Sequence, residues 1–185
     1  MKKDFYNLSK TEESMYVSSL TGGDAYNVAN LLNLGKDVTP KQVEKALNDV
    51  FEAHPYLWTV LSTSEDGVIQ KSIEPEPIKL DYEEVKNIVV NSPPFELQNK
   101  HLYRFKLYKC NGEYTIFYDF QHIIFDGTTG KVFTTDFIRA LNGEKLQKET
   151  YNANDYVLDE EKVLNSKESN REKRQNKKEQ CSFFV

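Results

Sequence analysis

A chain of 185 residues with 38% hydrophobic side chains, including eleven Tyr and eleven Phe, carries enough apolar surface for one packed domain, which excludes wholesale disorder. A formal charge of -5 excludes the concentrated basic face of a nucleic-acid binder. Cys110 and Cys181 stand far apart, which excludes a disulfide framework and a zinc-ligand pattern; no apolar signal core follows Met1-Lys2-Lys3 and no run reaches membrane-span length, so the expectation is a cytoplasmic protein.

Ser9-Lys10-Thr11-Glu12 has capping-box spacing and predicts a short helix from about Lys10, closed by Gly22-Gly23. Ala25 to Leu34, rich in Val, Leu and Tyr, reads as a strand. Thr39, Pro40 and Gln42 then start a helix whose Val43, Ala46, Leu47, Val50 and Phe51 share one face, and His54-Pro55 stops it. Leu57 to Ser62 and Val68 to Ile73 form a hairpin around Glu65-Asp66-Gly67. Asp81 to Val90 could form a short helix, and Pro93-Pro94 breaks the chain.

Leu102 to Lys109 and Tyr114 to His122 are two strong strands joined by Asn111-Gly112, a hairpin signal. Gly127 and Gly130 flank a turn, and a helix runs from about Thr128 to Leu141, closed by Asn142-Gly143. Ser166 to Gln180 contains no large apolar residue, so it cannot bury a face. The expected organisation is one lobe over residues 1–164 and a polar tail over 165–185, read as disordered in preference to a solvated helix. Strands alternating with helices imply the α/β class, here an α+β two-layer sandwich with a mixed sheet flanked by helices.

The stretch Phe120-Gln121-His122-Ile123-Ile124-Phe125-Asp126-Gly127 gathers the residues that could carry chemistry. The imidazole of His122 can accept a proton near neutral pH, an acid four residues on can orient the loop, and a glycine lets backbone turn and substrate approach. From the residues alone two readings stay open, because a lone histidine at a strand end is more often packed or hydrogen-bonded than reactive. His54 and His101 read as structural or solvated, Trp58 as core, and Cys110 as lacking a histidine or metal-ligand neighbour in sequence.

The octet resembles the His-His-x-x-x-Asp-Gly signature of nonribosomal peptide synthetase condensation domains, with Gln121 in place of the first histidine. Leu8 to Tyr16 resembles the opening motif of that family. Ala25-Tyr26-Asn27-Val28, with the helix leading into Ala53-His54-Pro55-Tyr56-Leu57-Trp58-Thr59, resembles the second motif. Pro94 to Leu107 resembles the approach to the active strand. The ordered set spans roughly residues 5 to 165 and implies the amino-terminal half of such a domain, a chloramphenicol-acetyltransferase-like lobe.

The resemblance further implies amide formation between a thioester donor and an amine acceptor. No cofactor is bound directly; carrier proteins deliver both substrates on phosphopantetheine arms. His122 takes the catalytic position, and the backbone of Gly127 is expected to approach the reacting carbonyl. Asp126 takes a structural position, paired with an arginine on the neighbouring strand, for which Arg104 is the expected partner. Gln121 cannot act as a base but can donate and accept hydrogen bonds. A complete family domain has a second lobe, which this chain lacks. Two alternatives follow: a non-catalytic lobe that binds carriers or a partner lobe, and a free-standing CoA-dependent acyltransferase.

Overall fold

The computed structural model describes residues 5–65 and 67–166. Beyond Ser166 the expected polar tail lies outside the described residues.

Chain entry into the first helix follows its cap. Ser9 Oγ accepts from Glu12 N and Glu12 Oε2 accepts from Ser9 N at 2.7 Å, so α1 (Lys10–Ser19) starts at the predicted residue. A two-residue strand, β1 (Tyr6–Asn7), precedes it. A 3-10 turn over Gly23–Tyr26 leads into β2 (Asn27–Gly35). Thr39 and Gln42 form the predicted capping box of α2 (Pro40–Ala53), which buries Val43, Ala46, Leu47, Val50 and Phe51. That apolar face, and not intrinsic propensity, is what holds a helix of this length in place.

A hairpin of β3 (Thr59–Ser64) and β4 (Gly67–Ser72) follows, and with β1 it makes a three-stranded sheet of order β1-β4-β3. The second sheet has four strands. β6 (Tyr103–Cys110) and β7 (Glu113–Gln121) pair antiparallel through Asn111-Gly112, whose φ angles of 52° and 81° are those a two-residue hairpin turn demands. β2 joins the far side of β7, and β5 (Asp81–Val85) joins β6 in parallel, giving the order β2-β7-β6-β5.

β5 corrects an expectation: Asp81 to Val90 is no helix. The strand satisfies its backbone along the free edge of β6, and Lys106 pairs with Glu83 at 2.7 Å while Lys109 reaches Glu84 at 3.3 Å across the seam. Helix propensity in so short a window loses to a ladder and its cross-strand partners.

α3 (Gly127–Leu141) lies beside α2 on one face of the four-stranded sheet. The layer between them is aromatic: Phe51 meets Tyr103 at 4.7 Å, and Phe133 meets Phe120 at 5.2 Å and Tyr118 at 5.1 Å, centroid to centroid. Each such buried ring is worth about 1.5–3 kcal/mol of transfer free energy. The residues after Thr150 form a separate unit, whose helix α4 (Ala153–Asn165) is capped by Asn152 and Asp155.

Candidate active site

β7 delivers the candidate site because its alternation sorts side chains onto two faces. Tyr118 and Phe120 enter the aromatic layer under α3, whereas Asp119 and Gln121 point to the opposite face. Past Gln121 the chain turns through His122-Ile123-Ile124-Phe125. Phe125 folds back to stack on Phe120, centroids 3.9 Å apart and planes 4° from parallel. Ile123, Ile124 and Phe125 are all buried, so the turn is clamped by its own apolar side chains.

Gln121 is wholly occupied in holding that turn. Its Oε1 accepts from Ile123 N at 2.6 Å, and its Nε2 donates to Ser19 Oγ at 2.9 Å, tying the turn to the end of α1. Its backbone N donates to Leu102 O. The amide supplies at once the acceptor and the donor that these two bonds need.

His122 donates its backbone N to Tyr26 O at 2.9 Å, which fixes the residue against the entry of β2. Its ring is treated differently. Nδ1 is buried and has no hydrogen-bond partner among the described residues. His54 offers the contrast within the same protein: Nε2 meets Asp136 at 2.9 Å and Nδ1 meets Glu149 at 3.2 Å, so both nitrogens are committed to structure. Only an imidazolium has donors for both carboxylates, and the hydrogen bond to Glu149, the largest cause, with Asp136 behind it, holds the His54 pKa above its ordinary value.

Asp126 caps α3. Its Oδ1 accepts from Thr129 N at 2.7 Å and from Thr129 Oγ1 at 2.8 Å, and the Thr129 N–H is the chief reason its carboxyl titrates below the usual carboxylate range. The expected pairing of Asp126 with Arg104 is therefore incorrect. Arg104 stands directly opposite Asp119 in the β6–β7 register and binds it instead, Nε to Oδ2 at 2.8 Å and Nη2 to Oδ2 at 2.7 Å. Asp126 lies beyond the strand end, committed to its own helix.

Gly127 and Gly130 do not flank a turn; both lie in the first turn of α3. Gly127 needs no unusual φ, and a Cβ there would meet nothing within 4 Å, so open space faces it. Gly130 is needed for packing: a Cβ there would come within 3.3 Å of the Phe125 ring. From this helix start a groove of about 520 Å³ runs between α3 and the edge strand β2, lined among others by Val28, Asn30, Phe125, Gly127 and Thr134.

Two neighbours of the site, Asp119 and Ser92, escaped the sequence reading, and Asn27 entered it only as part of the second motif. Ser92 Oγ donates to Asp119 Oδ2 at 2.7 Å, and Asn27 Nδ2 donates to Ser92 Oγ at 2.9 Å and Pro93 O at 2.8 Å. Counting pairs outward from the Asn111-Gly112 turn would have set Arg104 opposite Asp119; nothing local marked Ser92. The other histidine readings agree with the structure. His101 is exposed beside Tyr103, while Trp58 is buried.

The sequence matches the condensation-domain family over residues 2–175. The chain belongs to the condensation-domain family. Among synthetases, it is similar to bacitracin synthase 3 of Bacillus licheniformis, 25% identical over 84% of this chain and 3% of that one, and to tyrocidine synthase 3 of Brevibacillus parabrevis, 25% identical over 89% of this chain and 3% of that one. In fold it is similar to the X-domain from teicoplanin biosynthesis, with a TM-score of 0.78, 17% identity, and coverage of 89% of this chain and 39% of the other. A starter condensation domain of the rhizomide synthetase gives a TM-score of 0.74 at 16% identity, over 89% of this chain and 45% of that one. This condensation-domain chain thus spans less than half of the solved domains it matches and a few per cent of the synthetases. No helix among its described residues is long and apolar enough to cross a membrane.

Proposed function

We propose that this chain is the His122-bearing lobe of a condensation domain that joins a thioester donor to an amine acceptor, both carried on phosphopantetheine arms of carrier proteins. One observation carries the reading: in a loop where Gln121 and Asp126 are engaged, His122 Nδ1 is left without a partner among the described residues. Buried polar atoms are paired in the great majority of cases, so a buried imidazole nitrogen left unclaimed among the described residues calls for a functional cause.

In the proposed reaction the amine nitrogen attacks the thioester carbonyl carbon, a C–N bond forms, the C–S bond breaks, and the amine proton ends on the departing thiolate. Among the described residues no carboxylate hydrogen-bonds the His122 ring, unlike the acid-backed histidine of a Ser-His-Asp triad. This favours a His122 that holds the amine in line over one that stores the proton as an imidazolium. The proposed setting is the cytoplasm, with a second lobe forming the other wall of the site. Such positioning can supply roughly 7–11 kcal/mol of barrier lowering. The chain alone is therefore expected to be nearly inactive.

The test supplies a complementary lobe in trans with loaded donor and acceptor carriers, and follows the acceptor arm by mass spectrometry. Amide product that disappears in His122→Ala supports the reading; equal product in that variant refutes it. A second reading, a lobe that binds without catalysing, draws support from Gln121 at the signature position and from the likeness to the X-domain, which has also been solved in complex with OxyB. It predicts carrier or partner binding with no product from either His122 or its alanine variant.

A further inference from the structure

The irregular segment 86–102, between β5 and β6, crosses the sheet face opposite the helices, and three side chains converge on its Ser92-Pro93 step. Asp119 takes Ser92 Oγ at 2.7 Å. Arg104, already on Asp119, also donates through Nη2 to Pro93 O, and its guanidinium lies 4.2 Å from the centre of the Phe95 ring. Asn27 donates to both residues of the step. The contributing residues sit on three adjacent strands, β2, β7 and β6.

The same residues hold His122. Asn27 pairs with Gln121 in the β2–β7 register, Tyr26 just before it accepts the His122 N–H, and Asp119 shares a face of β7 with Gln121. The connections close into a ring: Asp119 to Ser92, Ser92 to Asn27, Asn27 through Tyr26 to His122, and back along β7 to Asp119. Asp119 is fully buried and, among the described residues, takes every donor on Oδ2 and leaves Oδ1 buried without a partner. A carboxylate so placed is a costly way to add stability, because removing a charge from water is repaid only when its hydrogen bonds are complete.

We infer that Asp119 is a positioning residue for His122, acting through Ser92 and Asn27 to hold the entry of β2 against the His122 backbone. The inference rests on reading His122 as the reacting group, but its test needs no turnover. The chain has three histidines, so the Cε1–H signals of His54, His101 and His122 can be followed separately by NMR. Asp119→Asn keeps the shape and an acceptor oxygen while removing the charge. Ser92→Ala removes one neutral link, leaves the Arg104–Asp119 pair whole, and keeps the test available if the first variant fails to fold.

In either folded variant the His122 signal should move. The His122 amide should exchange at least ~10-fold faster as its bond to Tyr26 opens locally, with His54 and His101 unchanged. An unmoved His122 signal with unchanged exchange overturns the inference. So does an equal shift of all three histidines, which would mean general loosening. Loss of turnover in His122→Ala bears on the reaction alone and leaves this outcome independent.

Discussion

Arg104 and Asp119 face each other across β6 and β7 and meet through two nitrogens on a single carboxylate oxygen, at 2.8 and 2.7 Å. Asp119 is fully buried and Arg104 is part-buried, so truncating the arginine leaves a carboxylate stranded in the sheet. Arg104→Ala should cost about 3–5 kcal/mol of stability. Asp126→Ala should cost only about 0.5–2 kcal/mol, the loss of a helix cap. Denaturant titration of both variants and of the double variant checks this: Arg104 and Asp126 should add. Strong coupling between them would restore the pairing that the geometry denies.

Gln121 supports the turn from both ends of its amide. Gln121→Leu keeps the bulk, strands the buried Ile123 N–H, and should destabilise by about 1–3 kcal/mol. Ser19→Ala removes only the link to α1 and should cost less, about 0.5–1.5 kcal/mol. Thermal melts of the two variants order these effects, and a more stable leucine variant would show the hydrogen bonds to be dispensable.

Gly127 and Gly130 separate function from packing. Gly127→Ala meets no atom within 4 Å, so stability should hold or rise by about 0.4–1 kcal/mol. If substrate approaches that backbone, the added methyl should still lower product in the two-lobe assay. Gly130→Ala presses on the Phe125 ring and should lower the melting temperature. A Gly127→Ala protein with full turnover would remove that glycine from the site.

His54 makes stability depend on pH. Its pKa is raised in the folded protein, first by the hydrogen bond to Glu149 and then by Asp136, which Arg139 also holds at 2.9 Å. A raised pKa means that the stabilisation is complete below the unfolded value of 6.5 and is lost as pH climbs through the folded one. Unfolding free energy measured from pH 6 upward should therefore fall on the alkaline side, and His54→Gln should flatten that fall. An identical pH profile in the variant would refute the assignment. Asp126 acts at the other end: its lowered pKa gives stability present above the ordinary carboxylate range and lost as pH drops through its folded value.

Much of this protein follows from local rules readable along the chain. Ser9 and Thr39 cap their helices because a hydroxyl three residues before Glu or Gln satisfies orphan N–H groups wherever it stands. Asn111-Gly112 dictates a tight hairpin because both residues tolerate positive φ. The order of motifs around His122 was likewise legible, since a signature is a property of sequence. The fate of Asp81 to Val85 and the partner of Arg104 were decided by tertiary structure. A short segment becomes a strand when an open edge completes its backbone hydrogen bonds, and a cation pairs with the anion that register brings within reach. Asp119 sat fifteen residues away in an apolar run. Ser92 became its partner only once segment 86–102 had crossed the sheet, because a hydrogen bond depends on distance in space and is blind to distance along the chain.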